Sequence, residues 1–190
     1  MTQTRFFHSN EDPICSCRLC HLHETRNLVV LPFGNLGSKV AFVGEAPGEN
    51  EDKAGRPFIG IAGSILDNAL RDAGVDRTMV MITNAVKCRP PGNRDPTTEE
   101  MASCRPYLED ELYDKELVVG LGKSACRSLM GYEGRMMEIV NKVQIIRIKG
   151  RDIDFLPTYH PMYCIYNKRA REMLGEAMAM VKERCIRDGR

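Results

Sequence analysis

Short apolar runs that end in a glycine or a polar residue recur along the chain, with amphipathic stretches between them. The runs at 39–45, 79–84 and 116–122 are typical of buried parallel strands. The stretches at 62–74 and 98–112 place apolar residues at helical spacing, and a further helix is indicated after residue 122. The pattern predicts strands that alternate with helices.

The last third of the chain continues this pattern. Residues 143–160 predict two strands around a Lys-Gly-Arg turn, and residues 168–190 predict a C-terminal helix. Alternating elements predict an α/β fold with a mostly parallel sheet between two helical layers. Ligands in open sheets of this kind bind beyond the carboxyl ends of the strands. The residues at the predicted strand ends are Glu45, Asn84, Gly122 and His160.

Length and composition favour one intracellular domain over 1–190. The chain is 43% hydrophobic and 28% charged, with a net charge of +1. It has no apolar run of about 18 residues, which a transmembrane helix requires, and its N-terminus lacks a signal-peptide pattern. We therefore expect a cytoplasmic protein without a membrane partner. The net charge does not indicate a nucleic-acid partner, although such a total can conceal a local basic face.

Eight cysteines in an intracellular protein argue for a metal or cluster site, or for scattered buried thiols, over a disulfide framework. Cys17 and Cys20 form a C-x2-C pair within the Cys/His-rich N-terminal segment, residues 1–30. Cys88 and Cys104 follow as C-x15-C, and four thiolates suit either an iron–sulfur cluster or a structural zinc. Ligation by a neighbouring Cys or His also stays open, and three further cysteines are interpreted as ordinary helix thiols. The neighbours are Cys15, His21 and His23, and the helix thiols are Cys126, Cys164 and Cys185.

The stretch GEAPGENEDKAGRPFIG, residues 44–60, combines a Gly/Pro-rich turn with several carboxylates. In its simplest interpretation it is a tight turn, with unusual backbone angles at Gly44 and Gly48 and rigidity from Pro47. Phe58, Asn84 and His160 also have ordinary structural interpretations when each is taken alone. The order in which these residues occur is more specific than any one of them.

Four separated motifs, GEAPGENED, GRPFIGIAG, ITNAVKCRPPGNR and TYHPMY, resemble those of the family 4 uracil-DNA glycosylases. These form the iron–sulfur branch of the uracil-DNA glycosylase superfamily, and the cysteine layout matches as well. The resemblance runs from Cys17 to about Asn167. It implies an α/β/α sandwich around a four-stranded parallel sheet, and an enzyme of base excision repair that hydrolyses the N-glycosidic bond of uracil in DNA.

The resemblance also implies a uracil site. A flipped base must be read on its pairing edge, and the Asn84 amide would match the O4 acceptor and N3–H donor of uracil. Phe58 would stack on the base, and backbone groups of Glu45, Ala46 and Pro47 would line its other polar edge. His160 would stabilise the leaving uracil anion.

The carboxylate that acts at the sugar is expected to be Glu45, with Glu51 and Asp52 as alternatives, because a related family uses an Asp where this chain has Ala46. The tyrosine that excludes thymine in other members is matched by Gly48. Glu51, or the backbone around it, is the hypothetical substitute.

The same resemblance assigns the cysteines and the DNA contacts. Cys17, Cys20, Cys88 and Cys104 would hold a structural 4Fe–4S cluster, and Cys15 would not. Met162 replaces the serine of the family's His-Pro-Ser motif, which puts one phosphate contact in doubt. The candidate contacts to DNA are Lys87, Arg94, Lys123, Ile165, Tyr166 and Lys168, of which Ile165 and Tyr166 are candidate wedges and Ile165 has a core interpretation as well.

The expected partner is uracil-containing DNA, double- or single-stranded, bound by a monomer. The sequence leaves open whether a clamp or polymerase recruits the protein. The basic last helix is interpreted either as a partner contact or, more simply, as a solvated amphipathic helix. Three other functions also stay open: a DNA-binding relative with altered catalysis, a nucleotide- or metal-binding accessory module, and a glycosylase that accepts other deaminated bases.

Overall fold

A computed structural model describes residues 13–188 of the chain. Residues 1–12 of the predicted N-terminal segment, and residues 189–190 of the predicted C-terminal helix, lie outside this range. None of the helices within it is both long and apolar enough to span a bilayer.

One six-stranded sheet, in the order β1-β3-β2-β4-β6-β5, organises the fold. The four inner strands run parallel, and each edge strand is antiparallel to its neighbour. The α/β prediction is confirmed, but the sheet has two more strands than the resemblance implied, because β1 and β5 extend its edges. The strands are β1 (Phe33–Gly34), β2 (Val40–Gly44), β3 (Met81–Asn84), β4 (Leu117–Leu121), β5 (Gln144–Ile148) and β6 (Arg151–Thr158).

The described residues form six α-helices, of which five lie between strands and the last follows β6. They are α1 (Glu49–Ala54), α2 (Ile61–Asp72), α3 (Thr98–Leu112), α4 (Lys123–Met130), α5 (Met136–Ile139) and α6 (Lys168–Asp188). The short helices α1 and α5 were not predicted. Helix α3 is capped by Thr97, whose side chain accepts from the Glu100 N–H while the Glu100 carboxylate accepts from the Thr97 N–H.

Helices cover both faces of the sheet. In β2, Val40 and Phe42 pack on one side with apolar residues of α2 and α6. Ala41 and Val43 face the other side and pack with α3 and α4. This alternation follows from the period of two in a strand, and it produces the three layers that the sequence predicts.

The parallel strands bring their carboxyl ends to one edge. Gly44 at the end of β2 is in register with Asn84 at the end of β3. Strand β4 ends one residue before Gly122, and β6 ends two residues before His160. The four strand-end residues predicted to share a crevice therefore follow neighbouring strands.

Candidate active site

A cavity of about 450 Å³ opens at this edge of the sheet. All six residues predicted to contact the base line it, namely Glu45, Ala46, Pro47, Phe58, Asn84 and His160. They come from three strand ends and from the loop before α2, so the fold unites motifs that are far apart in sequence.

The Asn84 amide lies inside the cavity wall and is only 3% exposed. A Cβ atom at Gly44 would lie 2.5 Å from Asn84 Oδ1 and 2.5 Å from the Phe58 ring. Gly44 is therefore required by close approach. The expected unusual backbone angles are wrong, because neither Gly44 nor Gly48 has a positive φ.

Phe58 is buried and has a left-handed backbone, with φ of 54°. Arg77 holds this loop: Nη1 donates to the Phe58 carbonyl at 2.9 Å and Nη2 donates to the Pro57 carbonyl at 2.8 Å. A Cβ at Gly63 would lie 1.8 Å from the Phe58 carbonyl oxygen, so only glycine lets α2 pack this closely. The sequence carried no signal that Arg77 has this role.

His160 caps the 3-10 turn that follows β6. Its Nδ1 accepts from the Met162 N–H at 3.3 Å, and its ring centroid lies 6.0 Å from that of Phe58. Burial lowers the pKa of His160 to about 4. The ring is consequently neutral at pH 7, and acceptance at Nδ1 leaves its proton on Nε2.

Glu45 accepts a hydrogen bond from the Ser124 hydroxyl of α4. Burial raises the pKa of Glu45, and Asp95 adds to the effect, whereas Ser124 and Arg127 oppose it. Ser124 was not predicted as a site residue. Its position two residues after Gly122, at a strand end, is the signal that sequence reasoning passed over.

The two alternative carboxylates have other contacts. Glu51 Oε1 accepts from the N–H groups of Ile59 and Gly60 at 2.9 and 2.8 Å, and Oε2 lies 2.8 Å from the position of a Cβ on Gly48. Asp52 is 1% exposed and accepts from the Asn27 N–H at 2.9 Å and from the Asn27 amide. Asp52 does not line the cavity, so its proposed role at the sugar is wrong.

The cysteines predicted as ligands gather in one packed cluster. Cys88 and Cys104 are buried in it with Ile14 and Leu22, and Cys17, Cys20 and Cys15 pack against it partly buried. Arg26 Nη1 donates to Cys88 Sγ at 3.4 Å. Burial raises the pKa of Cys88 to about 12 and that of Cys104 to about 11.

Among residues 13–185, whose side chains the structure describes, no group of three or more Cys, His, Asp or Glu is arranged to hold a metal ion. The alternative ligands His21 and His23 contact Glu24 and the Cys20 carbonyl, respectively.

The structure places two of the predicted DNA contacts, Lys87 and Ile165, away from the base cavity. Lys87 is 1% exposed and its ammonium bonds Glu111 Oε2 at 2.6 Å, so the prediction that it meets a phosphate is wrong. Ile165 lines a separate cavity between α2 and α6, whereas Tyr166 is 88% exposed.

The remaining predicted contacts stay accessible. Arg94 lines the base cavity and forms a bidentate ion pair with the Glu100 carboxylate. Lys123 and Lys168 are exposed. Met162, which stands where the family has serine, also lines the cavity.

The fold is that of an α/β protein with a cavity at the carboxyl edge of its sheet. The family model that describes the uracil DNA glycosylase superfamily matches residues 31–182. The type-4 uracil-DNA glycosylase of Thermotoga maritima is 43% identical over 160 residues, which cover 80% of this chain and 79% of the relative.

More distant relatives match over a similar extent. The type-4 uracil-DNA glycosylase of Sulfurisphaera tokodaii is 37% identical over 183 residues, covering 93% of this chain and 83% of the relative. A type-5 uracil-DNA glycosylase of Pyrobaculum aerophilum is 32% identical over 176 residues, covering 84% and 76%. The chain belongs to the uracil DNA glycosylase superfamily.

Proposed function

We propose that the protein releases uracil from DNA by hydrolysing its N-glycosidic bond and leaves an abasic site, the first step of base excision repair. One observation carries this proposal: a single cavity is lined by a buried amide, a buried aromatic ring, a neutral histidine and a carboxylate. The names of the type-4 relatives, together with membership of the superfamily, support the same activity.

Base recognition rests on Asn84 and Phe58. The amide of Asn84 offers one donor and one acceptor, which complement O4 and N3–H of uracil. Cytosine presents the reverse pattern and leaves buried polar groups unpaired, at about 1–3 kcal/mol each. The Phe58 ring supplies a stacking surface, which contributes about 1–3 kcal/mol for a nucleic-acid base.

Cleavage moves the electrons of the C1′–N1 bond onto uracil, while the sugar becomes cationic and water adds at C1′. His160 Nε2–H is assigned as the donor to uracil O2, where the negative charge develops. Glu45 is assigned to accept the proton of the attacking water and to stabilise the cationic sugar. The neutral His160 suits this role because its Nε2–H donates a hydrogen bond to the developing anion and keeps its proton.

Thymine exclusion is assigned to Glu51. Its carboxylate fills the space beside Gly48 and is fixed by two backbone N–H groups. A methyl group at C5 of the base would meet this fixed carboxylate.

We also propose that Cys17, Cys20, Cys88 and Cys104 hold a structural 4Fe–4S cluster. The donor set fits, since four thiols from three segments of the chain lie in one packed cluster and a guanidinium donates to one sulfur. The described side chains do not converge on one metal ion, but this does not argue against a cluster. Each thiolate of a 4Fe–4S cluster would bind its own iron, so the four need not meet at one point. When bound, the group would supply cross-links and no step of the hydrolysis.

DNA contact is assigned to Arg94, Lys123 and Lys168 for the phosphates and to Tyr166 as the wedge. Tyr166 is chosen over Ile165 because an exposed side chain is free to enter the duplex. Attraction to the phosphates makes binding weaker as salt rises.

A U·G duplex and a single-stranded oligonucleotide, each labelled at one end, test the proposal. Treatment with alkali converts every abasic site into a strand break. Wild-type protein should yield the break and Glu45→Gln should not, with Glu116→Gln, an exposed glutamate beside β4, as the matched control.

Absence of product with cluster-loaded wild-type protein would leave the inactive DNA-binding relative as the better description. The same oligonucleotides with hypoxanthine in place of uracil test the broader base specificity.

A further inference from the structure

A second cavity, of about 350 Å³, adjoins the base cavity. His160 lines both cavities. The residues that line the second one include two cations, Lys123 and Arg135, and two aromatic residues, Tyr159 and Tyr163. The proposed function uses His160 and Lys123 from this lining, and it assigns no role to Arg135, Tyr159 or Tyr163.

The cations of the second cavity are accessible to an anion. Lys123 begins α4 and is exposed. The Arg135 side chain is 81% exposed, and its guanidinium lies 4.0 Å from Glu138 Oε1, at the limit of an ion pair. A phosphate that contacts both side chains would meet positive charge that a distant carboxylate only partly compensates.

The aromatic residues of this cavity offer a stacking surface. The Tyr159 and Tyr163 ring centroids lie 5.4 Å apart with the rings tilted by 37°. The Tyr163 hydroxyl accepts from the Asn167 amide at 3.0 Å, which helps to fix a ring that is half exposed. Fixed, partly exposed aromatic rings of this kind bind nucleic-acid bases by stacking, with little dependence on sequence.

We propose that the second cavity binds the nucleotide next to the flipped uridine in the same strand. Its phosphate would lie at Lys123 and Arg135, and its base would stack on Tyr163. Neighbouring nucleotides are covalently joined, so a strand that places uracil on one side of His160 brings the next residue to the adjoining cavity. The proposal rests on the proposed function and extends it to the flanking strand.

The test compares short single-stranded substrates. The shortest contains one deoxyuridine with its two flanking phosphates, and the others add one nucleotide on the 5′ or on the 3′ side. For the wild type, kcat/KM should rise with the addition on one side. Tyr163→Ala should reduce the ratio of extended to shortest substrate by roughly tenfold, and Tyr163→Phe, which keeps the ring, should preserve it.

Arg135→Ala should lower the slope of log Kd against log salt by about 1 for the extended oligonucleotide. Arg147→Ala is the matched control, because Arg147 is exposed and paired with Asp152 at 2.8 Å on β5. It should change neither the ratio nor the slope.

A wild-type ratio near one on both sides, or an unchanged ratio in Tyr163→Ala together with an unchanged slope in Arg135→Ala, would overturn the proposal. Failure of the wild type to release uracil from any substrate would instead contradict the proposed function. Fluorescence anisotropy with the same oligonucleotides then measures the affinity gained per added nucleotide, which tests the subsite independently of the chemistry.

Discussion

At the scale of single residues, Asn84 has little freedom to adjust. It is almost fully buried, and Gly44 leaves the space that its carbonyl occupies. Asn84→Asp keeps the shape and removes the amide donor, so uracil O4 would face an oxygen in place of N–H. We expect kcat/KM for uracil to fall by about 10- to 100-fold, and discrimination against cytosine to weaken. Single-turnover assays on matched U·G and C·G duplexes measure both.

Asn93→Asp is the control for this variant, because Asn93 lines the same cavity and its Oδ1 accepts from Arg89 Nε at 2.7 Å. The acceptor survives the change, so base selectivity should be preserved. If the two variants lose selectivity equally, Asn84 does not read the base.

The pH dependence of excision follows from Glu45 and His160. Glu45 must be ionised to accept a proton, so activity is lost as pH falls through its pKa, which burial holds above the ordinary 4.5. Because burial lowers the pKa of His160 to about 4, the histidine is neutral at every pH above that value. We therefore expect an acid limb from Glu45 and no step near 6.5 from the histidine, as measured by kcat against pH.

Ser124→Ala sharpens this test, because it removes the hydroxyl that opposes the rise of the Glu45 pKa. The acid limb should move to higher pH. Ser128 lies on the same helix, and its buried hydroxyl has no hydrogen-bond partner within the described residues. Ser128→Ala should leave the limb in place, and an equal effect of both variants would point to a general change in α4.

At the scale of elements, a buried ion pair joins the end of β3 to α3. Lys87 Nζ donates to Glu111 Oε2, to Thr83 Oγ1 and to the Asn84 carbonyl, at 2.6 to 2.7 Å. Lys87→Met leaves the Glu111 carboxylate buried without its cation. We therefore expect the free energy of unfolding to fall by about 3–5 kcal/mol. Glu111→Leu in the same chain should recover part of this loss. Urea denaturation measures both changes.

The exposed pair of Lys53 and Glu49, 2.6 Å apart on α1, provides the comparison. Lys53→Ala should leave the urea midpoint almost unchanged, because an exposed pair of this kind contributes little to stability. A similar cost for Lys53→Ala and Lys87→Met would contradict the importance of the buried pair.

The sequence predicted the elements that have a strong apolar period. It failed for features whose position depends on tertiary contacts. The inner strands and α2, α3, α4 and α6 followed from apolar spacing, and parallel strands placed Asn84 and His160 correctly. Helix α1 was missed because its six residues are almost all polar. Lys87 was misplaced because lysines are almost always exposed, and its partner Glu111 is 24 residues away.

At the scale of the whole molecule, the cysteine cluster ties the N-terminal segment to the α/β body. We expect Cys17→Ala and Cys88→Ala to abolish the visible thiolate-to-iron absorption and the bound iron, since each would remove one of four ligands. Cys15→Ala and Cys126→Ala should retain both, because neither belongs to the proposed ligand set. Absorption spectra and metal analysis measure this, and the latter separates iron from zinc.

The opposite pattern, with iron lost in Cys15→Ala and retained in Cys17→Ala, would contradict the proposed ligand set. A full complement of zinc in the wild type would show that the cysteines bind zinc and that the proposed iron–sulfur cluster is wrong. Neither result would alter the assignment of the base cavity, since the proposed hydrolysis uses none of the cysteines.

Asn27 connects the cysteine segment to the helix that carries Glu51. It satisfies both oxygens of Asp52, a carboxylate that is otherwise cut off from water. A molecule that releases the N-terminal segment must also hydrate Asp52 and loosen α1, and with it the carboxylate that stands beside Gly48. Loss of the proposed cluster would therefore loosen the helix that carries Glu51 as well as the segment that holds the cysteines.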